Sequence, residues 1–441
     1  MSAAAEVIAK TYGLNLQDQG KGLYISMEFL AILRGSLLLE CDEGSEHRLL
    51  PAPEKATQFW RPSHDFARRI IHGLFTPDTP HEKLDEQSRL ALKDLLAGLE
   101  LPRAKHTKEP GNWRGRHLYP FPSEFIGWDS LQRGPTKIEL HGNSYRGAGS
   151  LVHRILRNDP NFERLQKTRA GLRELLADSD TKLGRLADAL HELDATREAA
   201  RKAHESRREE TADQDTATSP WREQLRDGVS RIVTRSEVGV PKSKKIEALV
   251  YWIPYCIVRH MHSLAITKIG GGTGEKLFPW VVDFLPENSR LRDQSRRDFA
   301  VAWTAVRDAL IVAAKEQEEH ELAQQNHWLK SPRGFWSGTA FAVGALNAGR
   351  GTRWFRLGPE LMDAIVLAKV EDRVKFGEFC HDILYKTLGI MVDVRSARAH
   401  GIRNIDQSTF HGNEESLAGM LSDLGNLERY SDTTRMVGVP H

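Results

Sequence analysis

Leucines recur on an alternating four-and-three spacing between residues 172 and 193: Leu172, Leu176, Leu183, Leu186, Leu190 and Leu193, with Ser179 at the one place that breaks the register. Arg, Lys, Glu, Asp and Ala fill the positions between, so an apolar seam runs along a helix whose other faces are solvated. The pattern predicts a long charged helix or coiled-coil hairpin over 161–212, about 75 Å long at 1.5 Å per residue if continuous. Gly171 and Gly184 permit a bend into the hairpin form. Past Arg197 the leucines stop, and the polar stretch at 213–220 reads as a linker.

The seam separates two globular parts. Residues 1–160 carry mixed signals. The apolar stretch 23–39 is broken by Arg34-Gly35 and fits helix or strands, whereas 81–101 reads as a helix on Leu84, Leu92, Leu95, Leu96 and Leu99, between Pro80 and Pro102. Residues 136–140 form a short strand among loops rich in Gly, Pro and aromatics. Residues 221–441 read as a helical domain. Its apolar run at 246–258 predicts a buried helix or strand and falls short of the about 20 residues of a membrane span. Ser289 can cap a helix from Arg290 to about residue 325, with Phe299, Trp303, Val306 and Leu310 on one stripe. Pro359 suits the first turn of a helix with Leu361, Ile365 and Val366. A second helix follows on Phe376, Phe379, Cys380, Ile383, Leu384 and Leu388, stopped by Gly389, and 390–394 has strand character. Helix, turn, helix, glycine, strand is the outline of a winged helix-turn-helix, and also of many ordinary helical cores. The expected fold class is mainly α, with a mixed α+β N-terminal region.

Composition narrows this picture. With 62 basic against 60 acidic residues the net charge is +2, so no global field draws the chain onto nucleic acid or a membrane, and any electrostatic role depends on local clustering. Hydrophobic residues at 40% supply a core and exclude disorder of the whole chain. Cys41, Cys256 and Cys380 follow no metal or disulfide spacing and suit a reducing compartment. The opening Met-Ser-Ala-Ala-Ala-Glu lacks the basic and apolar regions of a signal peptide. A cytoplasmic chain with no membrane segment is expected.

Charge does cluster locally. Residues 330–358 hold Lys330, Arg333, Arg350, Arg353 and Arg356 with no acidic residue, interleaved with Phe335, Trp336, Phe341, Trp354 and Phe355. Residues 103–157 carry ten basic against four acidic residues, densest around Trp113-Arg114-Gly115-Arg116. Lys and Arg neutralise phosphates, and aromatics stack on unpaired bases. Arg114, Arg116, Lys330, Arg333, Arg350, Arg353, Trp354 and Arg356 are therefore the candidate nucleic-acid contacts. The same residues equally suit core anchors with a rim of arginine at a protein interface.

Other chemistry is thin. The glycine run at 269–276 departs from a phosphate loop because Leu277 follows Lys276 and Glu275 would repel phosphate, so it reads as a connector. His260 and His262 on a helix would point about 200° apart and could not share an ion, so neither a metal site nor a cofactor is expected. Arg395-Ser-Ala-Arg-Ala-His400 resembles the Rx4–6H signature of HEPN-type ribonucleases, helical proteins common in prokaryotic defence and toxin systems. The resemblance spans six residues and implies Arg395 and His400 acting at a scissile RNA phosphate, in a dimer; the plain alternative is an exposed charged turn. Together these features predict a non-enzymatic, nucleic-acid-associated subunit of a larger prokaryotic complex, with defence against phage or mobile elements as one setting. Residues 172–193 would bind a protein partner or a second copy. A HEPN-like ribonuclease and a scaffold that binds no nucleic acid are the rival expectations.

Overall fold

The structure is a computed structural model that describes residues 3–14, 25–26, 28–30, 33, 87, 148–176, 219–237, 240–270, 278–287, 289–347, 352–431 and 434–439, together with the backbone of five short strands between 41 and 140. Two compact units emerge: Tyr24–Gln214, and Met1–Leu23 joined with Asp215–His441. The described residues are mostly helical with a few small strands, as the mainly α expectation required. The first helix, α1 (Ala3–Tyr12), belongs to the unit that holds Asp215–His441. Its buried Tyr12 donates to the Val306 carbonyl at 2.8 Å.

In the unit Tyr24–Gln214, β1 (Cys41–Asp42) and β2 (Ser45–Leu49) pair antiparallel. A second antiparallel sheet has the order β3 (Trp113–Arg116), β4 (Trp128–Arg133), β5 (Lys137–Leu140), the last where a strand was expected. Two helices follow, α2 (Ala148–Arg157) and α3 (Phe162–Leu176). The buried Glu28 carboxylate accepts from Gly149 N at 2.9 Å, satisfying a donor in the first turn of α2. Along α3 Leu165, Thr168, Leu172 and Leu175 are buried at a three-four-three spacing, with Gly171 beside them. The rest of the expected long helix, from 177 to 212, lies outside the described residues. So do the helix expected at 81–101, apart from Gln87, and the glycine run beyond Gly270.

The other unit is built around α5 (Lys242–Gly270), the 29-residue helix that contains the 246–258 run. Apolar residues on every side leave it no solvated face through most of its length, so neighbours enclose it. They are α4 (Pro220–Thr234), α6 (Arg290–Glu316), α8 (Lys330–Ala342) and α9 (Pro359–Lys369), with the short α7 (His320–Gln324) between α6 and α8. Ser289 caps α6 as expected, accepting from Arg292 N at 3.2 Å; the helix ends at Glu316 rather than near 325.

Strand β6 (Trp280–Val281) pairs in parallel with β8 (Ile390–Met391), all four residues buried. The winged helix-turn-helix is not confirmed: the strand after Gly389 lies in the core beside a segment 110 positions earlier. Between α9 and β8 run β7 (Val374–Lys375), α10 (Phe376–Glu378) and a nine-residue π-helix, Phe379–Thr387. Gly389 ends the π-helix with φ +61°, accepting the left-handed conformation that its sequence position suggested. Then come α11 (Val394–Ala399), α12 (Gln407–Asp423), β9 (Leu427–Arg429) and β10 (Arg435–Val437); β10 lies between β7 and β9 in an antiparallel sheet. Val281, Leu291, Met391, Ala397, Ile405 and Phe410 form one buried cluster that fixes α11 and α12 against the β6–β8 pair.

A basic cleft as candidate functional site

The basic-aromatic segment is mostly core. Phe335 and Trp336 project from α8, a helix whose buried positions 335, 336, 339 and 340 form one stripe despite Pro332 in its first turn. Phe355 stacks on Trp280 with ring centres 3.9 Å apart and planes at 6°. Trp354 is half-buried, and the guanidinium groups of Arg292 and Arg296 lie 4.7 and 5.5 Å from its ring centre. Arg353 donates to the Asn347 carbonyl at 2.8 Å and lies over the Phe341 ring. Lys330, Arg333 and Arg356 are exposed. Arg114 and Arg116 lie two apart on β3, opposite Ser130 and Trp128, and Arg350 lies outside the described residues. The structure therefore does not gather the sequence candidates into one described stacking surface.

His260 and His262 are buried on α5 with different partners: Ser219 Oγ lies 2.6 Å from Nδ1 of the first, and Trp280 Nε1 lies 3.3 Å from Nδ1 of the second. Among the described residues no group of three His, Cys, Asp or Glu is placed to hold a metal ion.

A cleft of about 790 Å³ opens instead where β7, the start of the π-helix, α11, α12 and β10 meet. Lys375, Arg395, Arg398 and Arg435 line it with His411, opposite the carboxylates of Glu378, Asp393 and Glu414. Most of the carboxylates are engaged. Asp393 caps α11, accepting from Ser396 N at 2.8 Å and from the Ser396 hydroxyl. Glu414 accepts from His411 Nδ1 at 3.0 Å, and the Val394 backbone works to lower its pKa. Arg435 pairs with Glu415 at 2.8 Å and lies over the Phe376 ring. Lys375, Arg395 and Arg398 are exposed and make no salt bridge among the described residues, with Arg395 near enough to Asp382 to add to the Lys386 hydrogen bond in lowering its pKa; Glu378 makes no salt bridge either. Arg395 and Arg398, three positions apart on α11, sit about 60° apart on its surface and can act together.

Burial raises the Glu414 pKa above the ordinary carboxylate range; the His411 bond opposes this and neighbouring Asp393 adds to it. Burial also pushes the Cys380 thiol well up, so the cysteine at the cleft wall is no thiolate. His381, Ser396 and Asp393 look like a nucleophilic triad in composition but not in order. The Ser396 hydroxyl donates to Asp393 and lies 3.1 Å from His381 Nδ1, so the serine stands between the other two, with no exposure to a substrate. It braces α11 against the π-helix.

The Arg395 and His400 pair is not brought together on this cleft. Five positions apart, the two residues lie about 140° apart around α11. Arg395 lines the cleft; His400, at the helix C-cap, does not, and it interacts electrostatically with Asp298 on α6. The segment 394–399 is helix, where the plain alternative was an exposed turn, and the strand expected just before it is present at Ile390–Met391. The cleft itself was missed because its residues are drawn from 375–398, 411–414 and 434–435, with no motif in any one stretch; the one local signal was the cluster Arg395, Arg398 and His400.

Comparison with protein-family models, with curated proteins and with solved structures finds no match to this chain. No helix among the described residues is long and apolar enough to cross a membrane.

Proposed function

We propose that this chain is a nucleic-acid-associated subunit whose C-terminal unit holds the phosphate backbone in the cleft between α10, α11 and α12. The observation that carries the reading is the set of three exposed cations, Lys375, Arg395 and Arg398, at one concave site with no salt bridge among the described residues. Exposed cations without a salt bridge among the described residues also occur elsewhere on this unit, as at Arg290, Arg297 and Arg403, but the cleft brings three of them to one concave site. Cations left unmatched at a concave site suit a polyanion, because each phosphate they neutralise releases counterions. Buried or covered aromatics in 330–358 turn the reading from base stacking toward backbone contact, which is compatible with duplex or single strands. Lys330, Arg333 and Arg356 remain as outlying phosphate contacts. The heptad leucines from Leu183 to Leu193 support association with a partner or second copy, in a larger assembly that a prokaryotic defence setting would suit.

Hydrogen exchange with and without a bound oligonucleotide tests this placement. Protection is expected in peptides covering 393–400 and 407–415. Protection confined to other segments, with these unchanged, contradicts it.

A further inference from the structure

We propose that the same cleft cleaves RNA, with His411 taking the proton of a ribose 2′-hydroxyl while Arg395 and Arg398 hold the adjoining phosphate. The proposal rests on the nucleic-acid reading of the cleft and goes beyond it, replacing the non-enzymatic subunit expected from the sequence with an enzyme.

The geometry that carries it is the pairing of an oriented imidazole with guanidinium groups that make no salt bridge among the described residues. His411 stands in the first turns of α12, its side chain 64% exposed, with Nδ1 3.0 Å from the Glu414 carboxylate, which is 22% exposed. A carboxylate accepting from Nδ1–H selects the tautomer whose lone pair is on Nε2, the nitrogen left open at the cleft. That is how a carboxylate readies histidine to act as a general base. The Val394 backbone also steadies the Glu414 charge, and Val394 begins the helix that carries Arg395 and Arg398. One carboxylate thus ties the base to the phosphate holders. Asp393 and Ser396 lock the same helix start from behind. Burial and neighbouring Asp393 raise the Glu414 pKa, and the bond from His411 works against that rise by stabilising the carboxylate.

RNA, and not DNA, is the substrate this set of groups can turn over without a further nucleophile. The 2′-oxygen is held by the substrate itself beside the phosphorus, so the site need supply only a base and charge stabilisation. The O2′–H bond breaks with its proton passing to His411 Nε2. The O2′–P bond forms and the P–O5′ bond breaks. The departing 5′-oxygen takes a proton from water, and His411 returns its own to solvent. The products are a 2′,3′-cyclic phosphate and a 5′-hydroxyl, with the guanidinium groups of Arg395 and Arg398 stabilising the charge on the equatorial oxygens. His411 and the two arginines are catalytic residues in this scheme, and Glu414 is a positioning residue.

The test uses the full chain with matched RNA and DNA oligonucleotides, following cleavage, product ends and binding together. Cleavage of RNA alone, ending in cyclic phosphate, is expected. His411→Ala should lower the rate about 10²–10⁴-fold with DNA affinity and melting temperature unchanged. Glu414→Gln should lower kcat with KM unchanged, a split that a purely structural role would not produce. His400→Ala should cleave like the wild type, which separates this site from the Arg395 and His400 pairing. Binding of both oligonucleotides without RNA cleavage overturns the proposal and leaves the nucleic-acid reading standing. Equal cleavage by wild type and His411→Ala, or loss in His400→Ala alone, also overturns it. Absence of binding to either oligonucleotide overturns both readings.

Discussion

Acid should unfold the C-terminal unit through its two buried α5 histidines before most of its carboxylates titrate. His260 and His262 are 1% and 4% exposed, and each is held neutral by its neighbours. Ser219 Oγ accepts from Trp221 N, so its own proton points to His260 Nδ1; Trp280 Nε1 can only donate, so His262 Nδ1 must accept. Burial pushes both pKa values down to about 3, with Arg222 adding to the effect at His260 and Arg259 at His262. In the unfolded chain both return to the ordinary value near 6.5. Between these limits the unfolded state binds more protons. Stability is therefore full above about pH 6.5 and falls on acidification by roughly 1.4 kcal/mol per pH unit per histidine. At pH 5 the pair has removed about 4 kcal/mol, a large share of the 5–15 kcal/mol typical of a domain. Urea unfolding followed by tryptophan fluorescence reads this unit preferentially, since seven of the ten tryptophans lie in 215–441. Carboxylates add their own slope, so the informative quantity is the difference between wild type and His262→Phe. The variant should begin about 1–2 kcal/mol less stable at pH 7.5, having lost the acceptor for Trp280. Its curve should be shallower by roughly 1.4 kcal/mol per unit and cross the wild type near pH 5. Parallel curves would refute the argument.

Two substitutions probe the core and the aromatic segment. Gly389→Ala should cost about 2 kcal/mol or more by chemical denaturation, because φ is +61° and a methyl group would lie 2.6 Å from Arg259 Nη2, which donates to the Phe278 and Leu388 carbonyls. Trp354→Ala should lower the melting temperature and leave the ratio of single-strand to duplex affinity unchanged, because Arg292 and Arg296 already lie over the ring.

What could be read in advance followed from local rules. Ser289, Pro359 and Gly389 mark helix ends through hydroxyl capping, a missing N–H and a positive φ, and each does so in the fold. The 246–258 run was recognisably buried. The β6–β8 pair was not legible, because parallel pairing joins Trp280 to Ile390 with no local signal. Nor was the fate of the aromatics. Trp336 and Phe355 look alike as stacking platforms or core until the partner surfaces of Trp280 and Phe299 are known. The cleft was illegible for the same reason: its cations count as free of salt bridges only once the carboxylates beside them are placed.

The most direct measurement is the salt dependence of oligonucleotide affinity, by fluorescence anisotropy from about 50 to 200 mM salt, for wild type and for Lys375, Arg395 and Arg398 all changed to Gln. If the three cations neutralise phosphates, the triple variant should bind more weakly and its log–log slope should flatten by about two to three units, at roughly 0.7–0.9 for each phosphate no longer neutralised. Changing Lys330, Arg333 and Arg356 should have the smaller effect. A triple variant with wild-type affinity and slope, or a wild type that binds no oligonucleotide at the lowest salt, would contradict the account.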